Sequence, residues 1–330
     1  MVWRIHFTAD DLERIQVRPT LGPLTEAVKA MSLLRCQRTP KAQFRPWLGQ
    51  VKGRITAQMA ALAALLPPCY PGVDLPMLIG EAPTVELGIQ ALMTAPSESV
   101  LVEIEYVDRM TRLPAAAWAV AEPGGPGRVQ LADAARAAHR ALVEPYWTRI
   151  SGCLHAEHVA RRRALASGGP DELLSSLQSR WLRWNPPVLE VLRSPPIDVH
   201  LSGRGIALVP SVFVGTLPQL HQDPTDPTAP PWLVLPPAEG RLAQASLWAG
   251  RRPRGAALAA LVGRNRAAVL GAIAGGCTTT ELARQVGISL AAASQHASVL
   301  RAAGLITTHR QGSAVLHVLT PLGTELLQAG

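Results

Sequence analysis

The residues best spaced to do chemistry lie between Gly287 and Thr320, in GISLAAASQHASVLRAAGLITTHRQGSAVLHVLT. At helical spacing Ala293, His296, Ala297 and Leu300 share one side, and Ala291, Ala292, Ser294, Gln295 and Ser298 share the other. The second side carries only small or hydrogen-bonding groups. Such a side lets a helix lie deep in the major groove of DNA, where Gln pairs with adenine and Ser serves several base edges. After Gly304 apolar residues alternate on both sides of RQGS. A two-stranded wing near residues 305–320 is expected, with Arg310 and Gln311 at its tip to meet phosphate or the minor groove.

Positioning such a helix needs a second one before it. TTTELARQVGIS supplies the signals: Thr278 or Thr279 to cap the N-terminus, and Glu281 in the first turn, where negative charge is favoured. Leu282, Ala283 and Val286 form its buried side, and Gly287 makes a sharp turn. Ser289 can cap a recognition helix over 289–303. Ala283 is small where the two helices cross, so their backbones can approach. This is the pattern of a helix-turn-helix. The expected DNA-facing set is Thr279, Ser289, Ala291, Ala292, Ser294, Gln295, Ser298, Arg301, Arg310 and Gln311. Upstream, ALAALVGRNRAAVLGAIAGG reads as one helix or two short ones, and the final TPLGTELLQ returns to helix.

Charge divides the chain in the same place. The net charge is +8, and residues 241–330 hold nine Arg, no Lys, no Asp and two Glu, which makes that segment +7 and leaves +1 for residues 1–240. A polyanion is the simplest partner for such a basic module. At 330 residues and 48% apolar content the chain can build two or three cores. Cys36, Cys69, Cys153 and Cys277 are far apart, so neither a zinc site nor a redox pair is expected. Cys153, His155, Glu157 and His158 make a tempting metal cluster, but no second ligand pair supports it. The apolar runs are too short for a membrane span, and a soluble cytoplasmic protein is expected.

The first 200 residues read mostly as helices. LGPLTEAVKAMSLLRC, with Leu24, Ala27, Val28, Met31 and Leu34 on one side, is one, and VKGRITAQMAALAALLPPCYPG is another. A long helical period runs through DAARAAHRALVEPYWTRISGCLHAEHVARRRALASGG, with a break expected at Pro145 and a further helix in GPDELLSSLQSRWL. Beyond Pro195, IDVHLSG and GIALVPSVFVG predict a β hairpin near 197–215, followed by a proline-rich loop carrying WLVL. The expected fold is mainly α with small β elements: an amino-terminal helical/α+β domain over 1–250, then a C-terminal winged helix-turn-helix domain over 251–330. Trp47, Trp118, Trp147, Trp181, Trp184, Trp232 and Trp248 lie outside the basic module. They suit either core or the walls of a pocket for a hydrophobic or aromatic effector.

The segment TTTELARQVGISLAAASQHASVLRAAGLITTHRQGSAVLHVLTPLG resembles the ArsR family of winged-helix transcriptional regulators. The family pattern of ELA, GxS, S-x-H, L-x-x-AGL and R-x-G falls on Glu281–Ala283, Gly287–Ser289, Ser294–His296, Leu300–Leu305 and Arg310–Gly312. The longer body is also similar to regulators of this type from high-GC actinobacteria, through FTADDLERIQV, FRPW, WLRWNPPVL and GRGIALVPSVFV. Two departures matter. Ala293 and Ala297 stand where many relatives have Val and Leu. ELARQV also lacks the cysteines of the family's metal sensors, so metal sensing is not carried over.

The resemblance implies a homodimer on double-stranded operator DNA, with two recognition helices in successive major grooves about 34 Å apart. No catalytic motif, cofactor or metal is expected, since Walker, Rossmann, GxSxG and HExxH patterns are missing from the sequence. The competing reading is an enzyme or small-molecule-binding protein whose winged helix serves protein contacts.

Overall fold

The computed structural model describes residues 2–36, 42–68, 72–193, 195–215, 217–238, 247–248, 256–273, 276–311 and 314–329. The chain forms two compact units, Met1–Trp248 and Ala249–Gly330.

The first unit opens with β1 (Trp3–His6), α1 (Ala9–Glu13) and β2 (Ile15–Val17). Thr8 and Asp11 form a capping box at α1: Thr8 N–H and Oγ1 donate to Asp11 Oδ2 at 2.8 and 2.7 Å, and Asp11 N–H donates back to Thr8 Oγ1. Asp11 Oδ1 also accepts from Gly205 N–H at 2.9 Å, across nearly two hundred residues. Gly205 has φ +72°, and a Cβ there would meet the Arg14 carbonyl oxygen at 2.4 Å, so only glycine fits this crossing.

Burial raises the pKa of Asp11, but these hydrogen bonds outweigh it and hold the carboxyl below its ordinary value. A depressed folded pKa stabilises above the unfolded value and is lost as pH falls through the folded one. Asp11→Asn is expected to cost about 1–3 kcal/mol at neutral pH. The gap from wild type should close below about pH 4 in urea titrations. A gap that stays constant down to pH 2.5 would show that the charge is not what the site uses.

Helices follow: α2 (Pro23–Arg35), α3 (Arg45–Val51), α4 (Ala60–Ala64), α5 (Leu75–Ile79), α6 (Val85–Thr94), α7 (Ser97–Thr111), α8 (Ala115–Trp118), α9 (Pro126–Ala138) and α10 (Trp147–Ser176). Of the predicted apolar side, Leu24, Ala27, Val28 and Met31 of α2 are buried and Leu34 is half-buried, and α2 runs through the middle of the helical core. Its other sides are covered too, so Glu26 and Lys29 are buried with them. Near Pro145 the α-helix gives way to a π turn at His139–Val143 and a 3-10 turn at Glu144–Tyr146, consistent with an imide that cannot donate. A second break within α10 sits at Gly168 and Gly169, with Pro170 opening the stretch that carries DELLSS.

Two four-stranded sheets complete this unit. β3 (Leu182–Asn185) and β4 (Val188–Val191) pair antiparallel around the cis Pro186–Pro187 peptide, and β5 (Ile197–His200) lies parallel to β1, giving the order β3-β4-β1-β5. β6 (Ile206–Pro210), β7 (Gln219–His221) and β8 (Trp232–Leu235) join β2 in the order β2-β6-β8-β7.

The hairpin predicted near 197–215 is therefore corrected: β5 pairs with β1, whereas β6 pairs in parallel with β2 and β8. The reason is burial. Every residue of IALVP in β6 is buried: Ile206 and Leu208 sit in the core shared by both sheets, while Ala207 and Val209 pack with Leu21 and Val214. A strand covered on both faces reads as a continuous apolar run and belongs inside a sheet with parallel neighbours.

In the second unit α11 (Ala256–Val262) and α12 (Arg264–Ala272) are separated at Gly263, where φ is +90°. Then come β9 (Cys277–Thr278), α13 (Thr279–Val286), α14 (Leu290–Ala302), β10 (Ile306–Gln311), β11 (Ala314–Leu319) and α15 (Pro321–Ala329). β10 and β11 form an antiparallel hairpin and β9 adds to β11, giving the order β10-β11-β9. Gly323 lets α15 approach the hairpin base: a Cβ there would lie 2.0 Å from the Leu305 carbonyl oxygen.

Candidate nucleic-acid interface

Local chemistry sets the two helices of the site. Thr278 Oγ1 accepts from Glu281 N–H, and Glu281 Oε2 accepts from Thr278 N–H at 2.8 Å, so α13 begins with a full capping box. These hydrogen bonds also hold the Glu281 carboxyl below its ordinary pKa. Gly287 closes α13 in the left-handed region (φ 71°, ψ 35°), which favours glycine. Ser289 Oγ then accepts from Ala292 N–H at 3.2 Å to start α14.

The faces of α14 separate as the spacing predicts. Ala293, Ala297 and Leu300 are buried against Leu270, Leu282 and Ile306. Ala291, Ser294, Gln295, Ser298 and Arg301 are exposed, and Ala292 is half-buried. His296 is half-buried at the edge of the packed side. Arg301 Nη2 lies 3.4 Å from Ser298 Oγ, so the guanidinium reaches along the exposed face. That face carries small groups, hydroxyls, one amide and one cation, and no carboxylate.

Thr279 belongs to a different arrangement. Its hydroxyl is 3.0 Å from His317 Nε2, and His317 Nδ1 is 3.2 Å from Thr308 Oγ1. His317 is 3% exposed, and burial holds its imidazole below the ordinary pKa. The ring thus ties the start of α13 to both strands of the hairpin and fixes the angle between them. Sequence reasoning did not single out His317. Its signal was a histidine at an inward position of an alternating strand, which carries no meaning until the partners are known. The backbones of Arg310 and Gln311 lie at the end of β10, and their side chains lie outside the described residues.

Other candidates resolve as packing. Cys277 is buried, and burial pushes its thiol up, away from the reactive thiolate. Glu157 accepts from Arg161 Nε at 3.0 Å and from Ala238 N–H at 3.2 Å, so its carboxylate is engaged away from a metal role. Trp47 and Trp248 pack at tilted and edge-on angles into a cluster with Phe44, Phe213 and Tyr146, with ring centroids 4.8–6.3 Å apart. Trp47 Nε1–H donates to the Leu142 carbonyl at 2.9 Å, which completes a core indole.

Residues 264–309 match a family model described as a helix-turn-helix domain, which spans α12 to the middle of β10. Comparison of the chain with curated proteins and with solved structures finds no match. The C-terminal unit thus carries a helix-turn-helix domain of the kind found in DNA-binding regulators. Among the described residues no helix is long and apolar enough to cross a membrane.

Proposed function

We propose that the protein is a transcription regulator of the ArsR type, reading operator DNA with α14 and bracing it with the β10–β11 wing. The observation that carries this reading is the exposed face of α14: Ala291, Ser294, Gln295, Ser298 and Arg301 stand together on a helix whose opposite side buries Ala293, Ala297 and Leu300. Ser294 and Gln295 face the bases, Arg301 and the wing residue Arg310 meet phosphate, and Ser289 sets the start of the helix. The protein acts in the cytoplasm without catalysis. Leu261 and Leu322, 74% and 55% exposed, offer apolar surface for the homodimer that a two-fold operator requires. An effector in the first unit would act by binding one arrangement of the paired DNA-binding units better than another.

The test uses DNA fragments recovered from genome-wide mapping of bound sites, with fluorescence anisotropy across a salt series. Wild-type protein should prefer its own site over random duplex and lose affinity steeply with salt. Gln295→Ala should weaken binding to the site by about 1–3 kcal/mol and leave random duplex nearly unchanged. Equal weakening on both DNAs removes Gln295 from base reading. A salt-independent affinity would overturn the DNA reading itself.

A further inference from the structure

A cavity of about 320 Å³ opens beside α2 in the first unit, a volume at the small end of ligand pockets. Leu33, Leu66, Val73 and Leu220 give it apolar walls. None of the eight tryptophans lines it. A row of polar groups crosses it instead. Lys29 Nζ donates to Gln219 Oε1 at 2.7 Å and lies 3.1 Å from His221 Nε2. His221 Nδ1 lies 2.6 Å from Asp74 Oδ2, and Asp74 N–H donates to Glu103 Oε2 at 3.1 Å.

The chemistry of the donors fixes the protons. An ammonium can only donate, so His221 Nε2 accepts and Nδ1–H is given to Asp74. Burial lowers the His221 pKa and keeps the ring neutral. Burial raises Asp74, but His221, Lys29 and the Met77 N–H more than reverse it, so Asp74 is ionised. Lys29 is 4% exposed, and Gln219 and His221 take two of its three N–H donors. One donor of a buried ammonium on the cavity wall is left without an acceptor among the described residues. Arg193 also lines the cavity, with its guanidinium 4.7 Å from the Trp3 ring and Nη1 donating to the Pro218 carbonyl at 2.7 Å.

We propose that this cavity binds a small organic carboxylate, its head held by Lys29 and Arg193 and its apolar body by Leu33, Leu66 and Val73. The charge count selects a monoanion. Among the lining residues Lys29 and Arg193 are the cations, and Asp74 and Glu103 are the acids. Burial, with Asp74 and then Asp223 nearby, pushes Glu103 up to about 7. In its neutral form the wall carries a surplus of one positive charge. A phosphate dianion would exceed that surplus, and an amine would place a further cation beside Lys29 and Arg193.

The same groups give the binding a pH dependence. Burial lowers Lys29 to about 8, with Asp74 and Glu26 raising it and Arg193 lowering it; the His221 facing it stays neutral. As pH rises, Glu103 and Glu26, which burial also pushes up to about 7, gain negative charge and Lys29 loses its proton, and all three changes weaken a bound anion. The inference deepens the effector part of the proposed function. Its test contains no DNA, so failure here leaves the DNA reading standing, and failure there leaves this one.

Isothermal titration calorimetry on the full chain would compare hexanoate and phenylacetate with hexanamide and hexylamine at about pH 6.5. A charge-assisted head should make each carboxylate at least about tenfold tighter than hexanamide, with hexylamine weaker still. Hexanoate affinity should fall by about tenfold towards pH 8.5. Glu103→Gln should lessen the part of that fall below about pH 8 and keep the rest, which Glu26 and Lys29 carry. Lys29→Met, if folded by circular dichroism, should bind hexanoate no better than hexanamide. Equal binding of acid and amide, tighter binding of the amine, an affinity that rises with pH, or no binding of either carboxylate would each overturn the proposal. If Lys29→Met does not fold, the amide comparison and the Glu103→Gln profile decide.

Discussion

Leu282→Ala will destabilise the helix-turn-helix core by about 2–5 kcal/mol, the cost of emptying a fully buried leucine site. Leu282 is 0% exposed and shares its core with Leu270, Ala293, Ala297 and Leu300. The two alanines opposite it are too small to fill a hole left by its isobutyl group, so the cavity will stay at the upper end of the cost. A unit of this size holds only several kcal/mol in total. Hydrogen–deuterium exchange on the full chain should show α13 and α14 opening at least about 30-fold faster, and DNA affinity should fall with it. Exchange in α2, which belongs to the other unit, should be unchanged. A rise of less than about threefold in α13 and α14 would mean that Leu282 is not the centre of that core.

Arg128→Met will have a comparable effect in the first unit, for a different reason. Arg128 is 1% exposed, and its guanidinium donates only to carbonyls. Nη1 reaches the Leu92, Met93 and Ala95 oxygens, which end α6, while Nε and Nη2 reach Val120 and Ala121 in the turn after α8. The last carbonyls of a helix have no partner within it and carry the negative end of its dipole. One guanidinium therefore serves both helix ends, and its charge is balanced by them in place of a carboxylate. Methionine fills similar volume but leaves several buried oxygens unsatisfied. The expected loss is about 3–5 kcal/mol, read as a shift in the urea midpoint. Arg128→Lys should recover less than half of it, because an ammonium cannot span both ends with fixed geometry. Full recovery by lysine would show that charge alone matters there.

Neither effect could be weighed from sequence in the same way. Leu282 was legible: ELARQV has an inward side at helical spacing, and its neighbours Thr278, Glu281, Gly287 and Ser289 are capping and turn residues with meaning at short range. Arg128 was not. In GGPGRV it looks like any surface arginine, and its carbonyl partners lie up to thirty-six residues away. The predicted hairpin near 197–215 failed for a related reason. Gly203 and Gly205 mark turns, but they cannot say that β1 and β2 from the chain's beginning take β5 and β6 into separate sheets.

What the sequence determined by itself was the C-terminal site: its caps, its left-handed glycine, the two faces of α14 and the alternating hairpin. Each depends on residues within a turn or a strand of one another, where backbone hydrogen bonding and periodicity act directly. Tertiary structure alone decided the rest. It brought Lys29 of α2, Glu103 of α7, His221 of β7 and Asp74, the cap before α5, to one cavity and gave His317 its place between Thr279 and Thr308. It also buried β6 on both faces. Those outcomes depend on which distant surfaces exclude water from one another, and burial then sets the charge of each group; neither is encoded in local spacing.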